Sequence, residues 1–215
     1  MAPPSNIKIT YFKNPGGAAD PTYITLLMAG IHFDSEQIVY GSPEWEKLKS
    51  SKTLPFDQLP VATIDGKQYS QSKALFRYAG KLAGYYPQDP LTALKVDEIT
   101  EALDDLIKVA AKAFYEQDPN TRAKYADETF QTSFPKFVGG IEKLLESKEF
   151  AVGHQVTLAD IYTFTTMWAL KHKLKKHWDD KLLKTYPKVE CICKKIEGNP
   201  KVQEWYAKNP FPQMA

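Results

Sequence analysis

Cysteine and long apolar runs are scarce in this chain of 215 residues. Its two cysteines, Cys191 and Cys193, lie two positions apart in a predicted helix, so their side chains point about 200° apart and cannot form a disulfide with each other. Their spacing fits neither a CxxC redox pair nor a zinc site, which favours a reducing compartment, and we expect a cytoplasmic location. No apolar run approaches the roughly 18 residues that a membrane span requires, so we expect no span.

A strong charge of either sign is also missing. The 28 basic and 26 acidic residues leave a formal net charge of +2, which is too small to predict a nucleic-acid partner. His32 and His154 have no cysteine or histidine at ligand spacing, so we expect no bound metal. The hydrophobic fraction of 43% is that of an ordinary globular protein.

The first third of the chain alternates between strand and helix patterns. The predicted elements are, in order, a strand at 7–12, a turn at 14–17, a helix at 20–30, a strand at 33–39, a helix at 43–51, strands at 59–64 and 67–69, and a helix from 70 or 71 to about 82. Asp65-Gly66 between the last two strands is a strong signal for a β-hairpin.

After the stretch 84–90, which contains one glycine and two prolines, the patterns are helical throughout. Apolar residues recur at steps of three and four from Val96 to Phe114, and this spacing predicts a helix with one face on a core. A second long helix is predicted from about 122 to 147, with a kink at Pro135 because proline cannot donate the helical hydrogen bond.

Two polar segments of this helical part have structural explanations. Thr157 and Asp160 precede an apolar run at the spacing of an N-terminal capping box. The basic run 171–177 (KHKLKKH) is predicted to be the exposed end of a helix, where positive charge is favourable. The whole pattern predicts a small α/β region followed by an all-helical region, and small ligands often bind where such regions meet.

Several motifs, taken in their order, resemble the cytosolic glutathione transferases, and among these the sigma-like class with a catalytic tyrosine. They are Thr10-Tyr11-Phe12, Gln58-Leu59-Pro60-Val61 with Asp65-Gly66, Gln71-Ser72 with Arg77-Tyr78, Leu103-Asp104-Asp105, and the segment from Val156 to Asp160. The resemblance implies an α/β thioredoxin-like domain at 1–84 that binds glutathione, a linker at 85–90, and an all-α domain at 91–215 that forms the electrophile site.

The resemblance makes Tyr11 the catalytic residue of a transferase that joins glutathione to hydrophobic electrophiles. The thiol of glutathione should have a pKa near 8.5, so only about 3% of it is the nucleophilic thiolate at pH 7. A phenol stays protonated at neutral pH, and its hydrogen bond favours the thiolate over the thiol. For Tyr11 alone, the alternative is packing at the end of a strand.

By resemblance, one set of residues binds glutathione as the co-substrate and a second set lines the electrophile site. The binding set is Trp45, Lys49, Gln58, Leu59, Pro60, Gln71, Ser72 and Asp105, and the electrophile set is Phe12, Ile107, Ala111 and Tyr162. Ser72 and Gln71 lie where a helix begins, and the unpaired N–H groups there suit a carboxylate or a simple N-cap. Pro60 is expected to follow a cis peptide bond that leaves the backbone of Leu59 free to pair with glutathione; the alternative is a proline that merely starts a strand.

The other assignments also have open alternatives. Trp45 and Lys49 are expected to contact the glycine carboxylate of glutathione, or to form a surface helix. Asp105 is expected to reach the amine of glutathione in the neighbouring subunit of a homodimer. The acidic cluster that contains it could instead hold a divalent cation at the dimer interface or be solvated, and we expect no metal to be required. Phe56 is the predicted hydrophobic key of that dimer.

The turn after Tyr11 departs from the family pattern. Sigma and related classes often carry arginines there, but this chain has Pro15 and Gly17, with no positive charge between Lys13 and Asp20. A cation in this turn would help to stabilise the thiolate. Two alternatives therefore stay open: a glutathione-dependent isomerase that makes prostaglandin D, and a non-catalytic relative that serves as a lens-type structural protein or a carrier of hydrophobic ligands.

Overall fold

The first region of the chain forms a mixed sheet of four strands. The computed structural model describes residues 4–13, 15–145, 147 and 149–211, so Asn14 of the predicted turn lies outside the described residues. The strands are β1 (Ile7–Phe12), β2 (Asp34–Ile38), β3 (Val61–Ile64) and β4 (Lys67–Ser70), in the sheet order β2-β1-β3-β4. Strand β1 is parallel to β2 and antiparallel to β3, and β3 is antiparallel to β4.

Helices flank the sheet and make up the rest of the chain. They are α1 (Asp20–Ala29), α2 (Pro43–Ser50), α3 (Ser72–Ala83), α4 (Pro90–Tyr115), α5 (Pro119–Glu128), α6 (Phe134–Leu144), α7 (Leu158–Lys173), α8 (Pro187–Glu197) and α9 (Pro200–Lys208). Short 3-10 turns occupy Pro55–Asp57 and Leu182–Thr185. The fold class is confirmed, and so is the predicted order of strands and helices in the first region. Among the described residues, no helix is long and apolar enough to cross a membrane.

Local signals in the sequence fix several of these boundaries. Helix α1 ends at Gly30, whose φ of 70° is a left-handed conformation that glycine adopts without a Cβ penalty. The predicted capping box of α7 is present, because the Thr157 hydroxyl and amide both donate to the Asp160 carboxylate at 2.8 Å. Asp160 also accepts from the amide of Ala151 at 2.7 Å, so this cap ties the preceding loop to the helix.

The predicted helix at 122–147 is divided in the structure. Helix α5 ends at Glu128, a π-helical segment spans Thr129–Ser133, and α6 begins at Phe134. Pro135 therefore lies in the first turn of a new helix, where its missing N–H has no partner to lose. The break falls a few residues before the proline because the wider π turn takes up the change in hydrogen-bonding pattern.

Helix α7 joins the two regions. It is buried along most of its length in the larger hydrophobic core, which also contains the inner faces of α4 and α8. On its other side it packs against α3, where a Cβ added at Gly80 would lie 2.6 Å from the side chain of Leu158. The amide of Leu158 donates to the carbonyl of Tyr85 at 3.0 Å. The site described next lies in this junction.

Candidate functional site

A cavity of about 150 Å³ opens at the junction of the sheet and the helices. Its walls come from the turn after β1, the start of α3, and the facing sides of α4 and α7. The structure brings together Tyr11, Ser72, Ile107, Ala111 and Tyr162 from the predicted site residues.

Tyr11 is the penultimate residue of β1, and its ring is buried, with 7% of the residue exposed. The phenolic oxygen accepts a hydrogen bond from the amide of Ala18 at 2.9 Å. Burial raises the pKa of Tyr11 to about 12, and the Ala18 amide acts in the opposite direction. The phenol is therefore protonated at neutral pH, and because its oxygen accepts from Ala18, its own proton can be donated into the cavity.

The turn that carries the Ala18 amide is fixed by a buried carboxylate. Asp20, at the start of α1, accepts from the amide of Gly16 at 2.7 Å and from the hydroxyl of Tyr206 at 3.2 Å. Burial raises the pKa of Asp20 to about 6, and these two hydrogen bonds oppose the rise. Gly16 has a φ of 69°, and a Cβ there would lie 3.0 Å from the Trp168 ring, so the turn packs tightly against α7.

The start of α3 forms one end of the cavity. Gln71 precedes the helix with φ 71° and ψ 105°, a conformation that residues other than glycine rarely adopt. Such a conformation at the edge of a cavity is typical of functional sites. Ser72, the first residue of the helix, lines the cavity, and the first amides of a helix have no partner within it. This end can therefore bind an anion.

Asp104 also lines the cavity, in an ionic cluster that the sequence did not predict as part of the site. Its carboxylate accepts from the hydroxyl of Tyr162 at 3.2 Å and lies 3.3 Å from the ammonium of Lys73. That ammonium is also 4.7 Å from the centre of the Tyr162 ring. Burial acts to raise the pKa of Asp104, but the positive charges of Lys73 and Lys108 outweigh it and lower the pKa.

Asp105 points elsewhere. It is exposed and pairs with Lys108 at 3.0 Å, because consecutive residues of a helix are about 100° apart and only one of the two aspartates can face the cavity. Glu101, the third acidic residue of this cluster, pairs with Arg77 at 2.7 Å. No group of three or more metal-ligating side chains occurs in the described part of the chain. The predicted contact of Asp105 with glutathione in a partner subunit stays a prediction.

The predicted residues on α2 form a separate cluster. The Phe12 ring packs edge-on against Trp45, with ring centres 4.9 Å apart, because Phe12 and Tyr11 lie on opposite faces of the sheet. Trp45 is buried, and the Lys49 ammonium lies 5.8 Å from its ring and 2.9 Å from the Glu46 carboxylate. Among the described residues, the lining of the cavity does not include Phe12, Trp45 or Lys49.

The peptide bond between Leu59 and Pro60 is cis, as the resemblance implied. Leu59 packs between the two hydrophobic clusters of the sheet region. As far as the structure describes the chain, Gln58, Leu59, Pro60 and Gln71 are not part of the cavity wall. Their roles in binding glutathione stay predictions.

The end of α7 corrects the prediction of an exposed basic run. Lys173 is only 8% exposed and lines the cavity, with its ammonium 5.2 Å from the centre of the Phe114 ring. Leu174 is buried as well, whereas Lys175 and Lys176 are exposed. The signal that could have found Lys173 is its spacing, because Tyr162, Ala169 and Lys173 lie on one helical face.

Comparisons with known proteins identify the family. The glutathione S-transferase 3 of Caenorhabditis elegans is 30% identical over 210 residues, which cover 94% of this chain and 96% of that protein. The chain belongs to the glutathione S-transferase family. The C-terminal domain of glutathione S-transferases matches residues 104–209, in agreement with this membership.

Two further proteins are similar to the chain, one in sequence and one in structure. The hematopoietic prostaglandin D synthase of Gallus gallus is 26% identical over 205 residues, which cover 95% of this chain and 97% of that protein. The crystal structure of monomeric Na-GST-3, a glutathione S-transferase from Necator americanus, superimposes with a TM-score of 0.80 at 28% identity. The superposition covers 97% of this chain and 100% of the hookworm chain.

Proposed function

We propose that this protein is a glutathione transferase in which the Tyr11 hydroxyl stabilises the thiolate of bound glutathione for attack on electrophiles. The observation that carries the proposal is that the Tyr11 hydroxyl and the start of α3 line one cavity. One supplies a proton donor for a sulfur anion, and the other supplies amides and a hydroxyl for a carboxylate. Membership of the transferase family supports this function.

In the proposed mechanism, the hydrogen bond from Ala18 compensates for the absence of arginines in the turn. An N–H group that donates to the phenolic oxygen withdraws electron density from it, and the O–H group becomes a stronger donor. The thiol of glutathione then loses its proton to solvent while Tyr11 keeps its own. A pKa lowered by about two units would raise the thiolate fraction at pH 7 from about 3% to roughly three-quarters.

In this proposal, the remaining walls of the cavity bind the two substrates. Ser72 and the first amides of α3 hold the γ-glutamyl carboxylate of glutathione. Ile107, Ala111 and Phe114 present apolar surface to the electrophile. The sheet region at 1–84 thus binds the co-substrate, and the helical region from 91 onwards supplies most of the second site. No metal is required for these steps.

An isomerase would use the same thiolate. An isomerase returns glutathione unchanged, whereas a transferase consumes it, so the amount of free thiol after turnover separates the two activities. A non-catalytic carrier would bind glutathione or hydrophobic ligands without changing either of them.

The decisive experiment compares the wild type with Tyr11→Phe. With an aryl halide such as 1-chloro-2,4-dinitrobenzene, we expect kcat/KM to fall about 10-fold or more while glutathione binding is retained, because the variant loses one charge-assisted hydrogen bond to the thiolate. The pH profile of the variant should shift toward the pKa of the free thiol, about 8.5. Tyr69→Phe, an exposed position on β4, is the matched control. Equal rates and equal pH profiles in wild type and Tyr11→Phe would remove Tyr11 from the mechanism.

We also propose that the chain forms a cytoplasmic homodimer. Phe56 is 74% exposed and lies in the turn Pro55–Asp57, with a φ of 56°. Its exposed ring is available for the contact that the family resemblance predicts. The cytoplasmic location rests on the two free cysteines.

A further inference from the structure

The cavity contains a second cation, Lys173, that the proposed mechanism does not use. Lys173 is the last residue of α7, and only 8% of its surface is exposed to solvent. Charged lysines are rarely buried to this extent unless a compensating group is close. Lys173 shares the cavity with Tyr11, which makes it a candidate for contact with a substrate.

Two contacts define where Lys173 lies along the cavity. Helices α4 and α7 meet at one end through Asp104 and Tyr162 and at the other end through Phe114 and Lys173. The two pairs are separated by about ten residues in α4 and about eleven in α7. At a rise of about 1.5 Å per residue, the two ends are about 15 Å apart. Lys173 is therefore far from Ser72, where the glutathione carboxylate is proposed to bind.

The turn after β1 packs close to the end of the cavity that contains Lys173. A Cβ at Gly16 would be 3.3 Å from the Cα of Ala169, one helical turn before Lys173. Ala18 of the same turn donates to Tyr11. Lys173 and Phe114 therefore line the part of the cavity that α4 and α7 form, and Tyr11 lines the same cavity.

Other charged groups are close to this end of the cavity. Asp20 is one anion whose charge acts on Lys173, and its carboxylate also accepts from the Gly16 amide and the Tyr206 hydroxyl. Burial lowers the pKa of Lys173, and the negative charge of Asp20 opposes this. Arg122 donates to the backbone carbonyl of Lys173 at 3.3 Å and adds a further positive charge nearby. An ammonium has three N–H donors, so Lys173 can also donate to an oxygen of a ligand.

We propose that Lys173 makes the electrophile site selective for substrates that carry a carboxylate. The carboxylate would accept a charge-assisted hydrogen bond from the ammonium, while the apolar part of the molecule packs against Phe114 and Ala111 and the electrophilic carbon faces the thiolate. This substrate class rests on the proposed transferase function.

The probe reaction uses 4-chloro-3-nitrobenzoate and its neutral analogue 4-chloro-3-nitrobenzamide. In both, the glutathione sulfur forms a bond to the carbon that bears chlorine, the carbon–chlorine bond breaks, and chloride leaves with the bonding pair. The thiol proton goes to solvent. The two probes have the same reacting carbon and nearly the same shape, and only one of them carries a negative charge. The uncatalysed rate of each probe is subtracted.

The measured quantity is the ratio of kcat/KM for the benzoate to kcat/KM for the benzamide. We expect this ratio to be about 10-fold higher in the wild type than in the Lys173→Met variant, mainly through KM. Lys173→Arg keeps the charge and should keep most of this preference. Lys175→Met, which removes an exposed lysine from the same helix end, should behave as the wild type. Thermal unfolding of each variant shows whether it is folded.

Calorimetric titration separates this proposal from the transferase proposal. Unreactive 3-nitrobenzoate should bind the wild type about 10-fold more tightly than 3-nitrobenzamide, whether or not the protein catalyses transfer. Tighter binding of the carboxylate with no turnover of either reactive probe would overturn the transferase function and leave the Lys173 site standing. Equal binding of the two unreactive compounds by the wild type, or an unchanged preference in folded Lys173→Met, would overturn the proposed role of Lys173.

Discussion

The two ends of the cavity are built differently. At the α3 end, Ser72 and Lys73 are neighbours in sequence, and the Lys73 ammonium has a carboxylate partner in Asp104 at 3.3 Å. At the α7 end, Lys173 and Phe114 come from two helices that are far apart in the chain. In the proposed function, a short segment at a helix start binds the co-substrate, and the packing of two helices forms the site for the electrophile. Changes at one end should therefore leave the other end largely intact.

The largest effect that we expect comes from Asp20→Asn, next to the α7 end. The fold favours the protonated acid, because burial raises the pKa of Asp20 from 3.8 to about 6. The stability that this group contributes is present below pH 3.8 and is lost as the pH rises to about 6. At pH 7.5 the asparagine variant should have a free energy of unfolding up to about 3 kcal/mol above the wild type, and the difference should shrink toward pH 4.

Urea unfolding at pH 4.5 and 7.5 measures this difference. Asparagine can still accept from the Gly16 amide, so the variant keeps the turn. Asp34→Asn on β2 is the control for the loss of an exposed carboxylate, because the Asp34 side chain is 64% exposed. If the difference in the free energy of unfolding between wild type and Asp20→Asn is the same at pH 7.5 and pH 4.5, the pKa of Asp20 is not raised.

Ser72→Ala should affect only the α3 end. We expect KM for glutathione to rise about 10-fold with a change in kcat below about 3-fold, because the hydroxyl binds the co-substrate in both the ground and transition states. The ratio between the benzoate and benzamide probes should stay as in the wild type. Ser50→Ala, at the exposed end of α2, serves as the control. A loss of the probe preference in Ser72→Ala would mean that the two ends are not independent.

Phe56→Ser tests whether the α3 end depends on a partner subunit. Light scattering after size exclusion should show a homodimer for the wild type and a monomer for Phe56→Ser. The control is Leu144→Ser, an exposed apolar position at the end of α6, which should stay a homodimer. If Asp105 of a partner contacts glutathione, KM for glutathione should rise about two- to five-fold in the monomer, as for the loss of one partly exposed ionic contact. An unchanged dimer would exclude Phe56 as the key.

Sequence patterns predicted most of the fold because its signals are local. The hairpin at Asp65-Gly66, the end of α1 at Gly30 and the capping box at Thr157 each depend on a few neighbouring residues. The prediction of one helix at 122–147 was wrong, because the structure divides it at a π-helical segment before Pro135. The position of such a break depends on backbone hydrogen bonds as well as on the proline.

The sequence by itself determined the family, the strand that ends with Tyr11 and the helix that begins at Ser72, because these follow from short motifs and hydrophobic spacing. Tertiary structure alone decided that Asp104 rather than Asp105 faces the cavity, that Phe12 packs against Trp45, and that Lys173 is buried. A pattern in one helix reports which residues share a face. The neighbour that covers that face is fixed only when distant segments pack together.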